Sequence, residues 1–140
     1  MRLSRSPLKP CLIMKLLSWN IRGLNSQNKH RLLRKKFTKE KLDIVFLQET
    51  KCTRQKLETI GRSMGKRMEY MEVEGNGLGG GLAIFWNPLS LNLHNAEVSR
   101  SFISLKMQIL GENGTYLFTN VYSPQRMEDK LQFSNNIYSL

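Results

Sequence analysis

Hydrophobic and polar positions alternate along this chain in two different rhythms. In the first, short apolar runs alternate with amphipathic stretches. "MKLLSWN" (14–20) is short, apolar and bounded by "RGLNS", so it predicts a strand that leaves into a loop. "SQNKHRLLRKKFTKEK" (26–41) sets Leu32, Leu33, Phe37 and Leu42 at helical spacing among charges, with Ser26 in place to cap the start. "DIVFLQE" (43–49) is continuously apolar until its end, the pattern of a strand covered on both faces. "TRQKLETIGRSMG" (53–65) predicts a second helix with Leu57, Ile60 and Met64 inward and Gly65 closing it. Strand, helix, strand, helix is the order of parallel strands joined by crossover helices.

The rhythm then changes. "RMEYMEVE" (67–74) alternates, and glycine-rich "GNGLGGG" (75–81) follows it. After the glycines come "LAIFW" (82–86), "LNLHNAEV" (91–98), "FISLKMQIL" (102–110) and "TYLFTNVY" (115–122), with "GENG" (111–114) as a hairpin turn between the last two. These predict antiparallel strands, and "RMEDKLQFSNNIYSL" begins as a helix. The whole predicts one α/β domain with a mixed sheet. The first 13 residues read as a disordered extension before Met14.

Composition changes this picture little. A hydrophobic fraction of 40% and a charged fraction of 24% are those of an ordinary water-soluble domain. Two cysteines, Cys11 and Cys52, make neither a disulfide framework nor a zinc site, and point to a reducing compartment. No stretch reaches the ~20 apolar residues of a membrane span, which excludes a spanning helix.

Charge adds more. Residues 1–70 carry 18 Lys or Arg against 5 Asp or Glu, and residues 71–140 carry 4 against 6, so all of the +11 excess lies in the first half. It peaks in "KHRLLRKKFTKEK" (29–41), where Arg34, Lys35 and Lys36 are candidate contacts for a nucleic acid. The alternative is a solvated helix face whose basicity helps solubility and nothing more.

Three strand ends carry polar residues: Asn20, Glu49 and Tyr122. Parallel neighbours bring their carboxyl ends to one edge, where α/β sheets bind ligands. An amide, a carboxylate and a phenol form a hard-oxygen set suited to Mg²⁺ and phosphate. Each also has a structural reading. Asn20 suits an Asx turn, Glu49 a loop cap or lysine partner, and Tyr122 a packed aromatic.

Together, "LLSWNIRGLNS", "DIVFLQETK", "GGGLAIFW" and "TNVYSP", in this order, resemble the endonuclease/exonuclease/phosphatase superfamily. Within it the likeness is to the apurinic-type endonuclease domain of LINE-like non-LTR retrotransposon proteins. The resemblance covers residues 14–140. It implies a four-layered α/β/β/α sandwich of DNase I-like type, hydrolysis of phosphodiester bonds with Mg²⁺ or Mn²⁺, and DNA as partner, without a membrane. It further implies Glu49 as the metal ligand, with Asn20 and Tyr122 as catalytic groups at the phosphate. Arg22 stands where relatives of the repair type carry an acid, and suits a phosphate contact.

The family also carries a Gly-Asp-x-Asn segment and a Ser-Asp-His segment. This chain has neither, since its aspartates are Asp43 and Asp129 and its histidines His30 and His94. The resemblance is therefore to the N-terminal half of a domain, one expected to be inactive alone. The alternative is a basic nucleic-acid-binding fragment without catalysis. A half domain is also expected to leave the apolar faces of "LAIFW", "FISLKMQIL" and "TYLFTNVY" uncovered, a surface for non-specific self-association.

Overall fold

The computed structural model describes residues 14–64, 68–75 and 80–122. Its elements are β1 (Leu16–Asn20), α1 (Gln27–Glu40), β2 (Ile44–Gln48), α2 (Arg54–Ser63), β3 (Glu69–Val73), β4 (Leu82–Trp86), β5 (Leu91–Val98), β6 (Phe102–Ile109) and β7 (Tyr116–Val121). The expected N-terminal extension, the glycine closing α2 and the helix after residue 122 lie outside the described residues.

Two sheets form. The first has the order β1-β2-β4-β3, with β1 and β2 parallel and the other pairs antiparallel; it is the mixed sheet the pattern predicts. The second is the antiparallel meander β5-β6-β7, closed at its tip by Gly111 and Gly114, both at positive φ. One core cluster lies between the helices and the first sheet: Leu33, Phe37, Leu57, Ile60 and Met64 pack on Val45, Leu47, Ala83 and Phe85. The other lies between the sheets, where Ile44, Phe46, Leu82, Ile84 and Trp86 meet Ile103, Leu105, Met107 and Ile109. Because both faces of β2 and β4 are covered, their residues are apolar without alternation.

Three expectations are corrected. Ser26 precedes α1 in extended conformation but its side chain makes no capping bond; Thr53 does cap α2, accepting from Lys56 N at 3.3 Å. Leu32 faces solvent, 44% exposed, so the inward stripe of α1 is Leu33 and Phe37.

The third correction is larger. β4 is entirely buried and β6 nearly so, because the second sheet is already made within this chain and folds back over the first. What stays open is narrower. Leu17 and Trp19 of β1 pack towards the helices, so Leu16, Ser18 and Asn20 alternate onto the inter-sheet face and are exposed. The second sheet stops short of them, with β7 lying over β2 and β4. Leu16, Tyr116 and Leu117 are the large apolar side chains left exposed on β1 and β7, at 48%, 46% and 66%.

Candidate functional site at the strand ends

β1 and β2 pair in parallel with Asn20 opposite Gln48, so Glu49 follows directly beside the end of β1. β7 crosses the same region on the other sheet. Its Phe118 lies over Phe46, with ring centroids 6.3 Å apart, and its Asn120 bonds Gln48. β7 thus progresses in the same direction as β2, and Tyr122 falls beyond the Gln48 end. Asn20, Glu49 and Tyr122 therefore share one edge, as the strand order requires. No hydrogen bond joins their side chains to one another. Asn20 is exposed, while Glu49 and Tyr122 are half-buried.

The loops at this edge are knitted by their backbones. Ile21 N donates to Gln48 O (3.0 Å), Gly23 N to Glu49 O (2.6 Å) and Leu24 N to Thr50 O (2.8 Å). Thr50 N and Lys51 N donate in turn to Gly81 O (3.2 Å) and Gly80 O (3.1 Å). The stitching forces unusual backbone: Arg22, Glu49 and Lys51 all have φ between 50° and 55°, the left-handed region that side chains disfavour. Such residues collect where a site over-determines the chain. Gly81, at φ +96°, presses on Thr50 so closely that a Cβ there would lie 2.3 Å from the Thr50 hydroxyl. That hydroxyl is fully buried and has no hydrogen-bond partner among the described residues.

Three residues that the sequence pattern did not single out build the support. Asn120, 1% exposed, sits in the inter-sheet core. Its Nδ2 donates to Leu47 O and Ala83 O, both at 3.0 Å, and its Oδ1 accepts from Gln48 Nε2 at 2.6 Å. Gln48 Nε2 also donates to Ser18 Oγ at 3.2 Å. One amide pair thus ties the strand of Tyr122 to the strand of Glu49. The signal was available: Asn120 and Gln48 share the parity of apolar neighbours, Phe118 and Phe46. The third residue is Lys29, in the first turn of α1, whose Nζ donates to Ile21 O, Arg22 O and Gly23 O at 2.6, 3.1 and 3.0 Å.

Arg22 is exposed on the edge beside Asn20. Arg34, Lys35 and Lys36 sit mid-way along α1, roughly 10–14 Å of helix from its start. The first two are exposed and Lys36 is half-buried. Asp43 is at the opposite end of β2, bonded to Lys15 N (2.9 Å) and Ser90 Oγ (2.7 Å). His30 contacts the Leu24 carbonyl and His94 lies against Gln108. Among the described residues no three of His, Cys, Asp or Glu gather as a metal cluster. Glu74, which follows β3 at the same edge, accepts from Arg54 N at 3.0 Å. Glu49 is the carboxylate next to the end of β1, with the Asn20 amide beside it. That oxygen-only set fits a Mg²⁺ ion that keeps most of its waters, and does not fit zinc.

Residues 17–102 match the Endonuclease/Exonuclease/phosphatase family. The chain belongs to that family. The matched span contains Asn20, Glu49 and the glycine-rich loop. A search of the curated proteins finds no match. Among solved structures the fold is similar to that of an AP endonuclease from Archaeoglobus fulgidus, with TM-score 0.67 and 20% identity over 91% of this chain and 50% of that one. The mannosyl-6-phosphatase Bt3783 of Bacteroides thetaiotaomicron gives 0.71 and 12% over 91% and 58%. A humanized D. rerio TDP2 carrying 14 mutations gives 0.68 and 13% over 90% and 58%. At these identities the likeness establishes the DNase I-like fold alone. The chain spans 50–58% of the length of these proteins.

Proposed function

We propose that this chain forms the metal- and phosphate-holding part of a divalent-metal-dependent phosphodiesterase site of the retroelement endonuclease type, with DNA as substrate. The observation that carries the reading is the register of Asn20 against Gln48, which sets Glu49 and Asn20 side by side at the carboxyl ends of parallel strands. Glu49 is the ligand for Mg²⁺ or Mn²⁺; the ion, when bound, supplies neutralisation of charge on the phosphate oxygens. The Asn20 amide donates to a phosphate oxygen, the Tyr122 hydroxyl orients the scissile group, and Arg22 adds a positive charge at the backbone of the nucleic acid.

Hydrolysis also needs a group to take a proton from water. The Gly-Asp-x-Asn and Ser-Asp-His segments that carry such a group in the family are absent from this sequence. Its histidines are His30 and His94; of its two aspartates, Asp43 bonds Lys15 and Ser90 while Asp129 lies outside the described residues. The 140 residues alone are therefore expected to bind metal and DNA without turning DNA over.

Two measurements on the purified chain test this. Saturable Mn²⁺ binding by paramagnetic resonance should be lost in Glu49→Gln, and plasmid nicking should be absent with Mg²⁺. Mn²⁺ binding unchanged in Glu49→Gln would remove the metal assignment. Nicking by the unmodified chain that Glu49→Ala abolishes would overturn the predicted inactivity.

The second reading is a non-catalytic nucleic-acid-binding fragment, favoured by the basic surface of α1. It requires salt-sensitive DNA binding that survives Glu49→Gln and weakens when Arg34, Lys35 and Lys36 are neutralised.

A further inference from the structure

Lys29 stands where helix electrostatics would not choose a lysine. It is in the first turn of α1, at the positive end of the helix dipole, and that turn contains no acid to offset it. Its ammonium has three N–H groups, and all three are taken by the carbonyls of the consecutive residues Ile21, Arg22 and Gly23. Those carbonyls converge because Arg22 and Gly23 are both left-handed, at φ 50° and 95°. Three carbonyl dipoles aimed at one point repel unless a cation lies between them.

The turn is also the segment that Gln48, Glu49 and Thr50 grip through Ile21, Gly23 and Leu24. We propose that the Lys29 ammonium is a built-in cation that holds the left-handed Arg22–Gly23 turn closed, making Lys29 a positioning residue that sets Asn20 and Arg22 against Glu49. The link between cation and turn stands on these bonds alone; its service to metal binding rests on the function proposed above.

The test needs the full chain and three readouts. In the unmodified protein, ¹⁵N–¹H spectra of lysine ammonium groups at neutral pH should retain the Lys29 signal while that of exposed Lys35 is lost to exchange. In Lys29→Ala, trypsin should cut the Arg22–Gly23 bond about tenfold faster, while the remote Arg100–Ser101 bond is cut at the original rate. Methylammonium, which brings back a charge and N–H donors, should restore protection of Arg22. Tetramethylammonium, with the charge and no donor, should not.

A Lys29 signal no better protected than Lys35 overturns the proposal, and decides it even if Lys29→Ala does not fold. Equal acceleration at both bonds, which a merely destabilised fold would give, also overturns it. So does equal rescue by the two cations. Mn²⁺ affinity, read in the same samples, should fall in Lys29→Ala and recover with methylammonium. If the unmodified chain binds no Mn²⁺ while the Arg22 result holds, the functional reading fails and the Lys29 assignment stands.

Discussion

Replacing Asn120 by alanine should cost the fold about 3 kcal/mol, because three hydrogen bonds cross between the sheets through that one buried amide. Each is worth about 1 kcal/mol net, and a buried acceptor left empty costs about 1–3 kcal/mol. The Leu47 and Ala83 carbonyls would lose a donor inside the sandwich, whereas Gln48, half-exposed, keeps Ser18 and gains water. For a domain with about 5–15 kcal/mol of total stability the loss is large. With a urea slope near 2 kcal/mol/M it should lower the midpoint by roughly 1.5 M at unchanged slope.

The loss of hydrogen bonds must be separated from the loss of packing. Asn120→Leu fills the space without offering a donor, so it should remain destabilised if the carbonyls are the cause. Gln48→Ala combined with Asn120→Ala should show a coupling of about 1 kcal/mol. A loss below about 1 kcal/mol in Asn120→Ala, or a leucine variant as stable as the original, would refute the reasoning.

Three further outcomes are expected. Gly81→Ala should be at least about 2 kcal/mol worse than Gly114→Ala in urea unfolding, since both have positive φ but only Gly81 drives its Cβ into the Thr50 hydroxyl; near-equal losses would contradict the close approach. The Tyr116 hydroxyl donates to Glu112 Oε1 at 2.8 Å, and that bond, with the nearby negative charge, raises its pKa above the ordinary tyrosine value. The bond's contribution is present below the ordinary tyrosine range and is lost as pH rises through the raised value. Absorbance titration should show this tyrosine ionising late, and Glu112→Gln should bring it back. Burial raises the Cys52 thiol pKa, against lesser lowering from the Leu24 backbone and Lys56. In a Cys11→Ser background a disulfide reagent at pH 8 should therefore react at least about tenfold faster once urea has unfolded the chain.

The strands, the helices and the three polar strand ends were legible in the sequence because each is a local pattern. Period, caps and turns depend on residues a few positions apart. Thus "IVFLQE" announces a doubly covered strand with a carboxylate at its end, and the parallel order alone places Asn20 near Glu49. The two-sheet sandwich was expected through the family resemblance, but that this chain itself builds the covering sheet was not legible. This is why the faces of β4 and β6 were expected to lie open. An apolar face reads the same whether a segment of its own chain covers it or nothing does.

Only the tertiary structure decided the rest. Asn120 meets partners 72, 73 and 37 positions away in Gln48, Leu47 and Ala83, and no local pattern encodes such a meeting. The left-handed backbone at Arg22, Glu49 and Lys51 is imposed by loops gripping one another, against the preference of those residue types. Lys29 reads as one more charge in a basic helix until the fold turns three carbonyls towards it. Local chemistry named the candidate groups; long-range contacts, which the chain makes only once it has closed on itself, decided which of them are held in place.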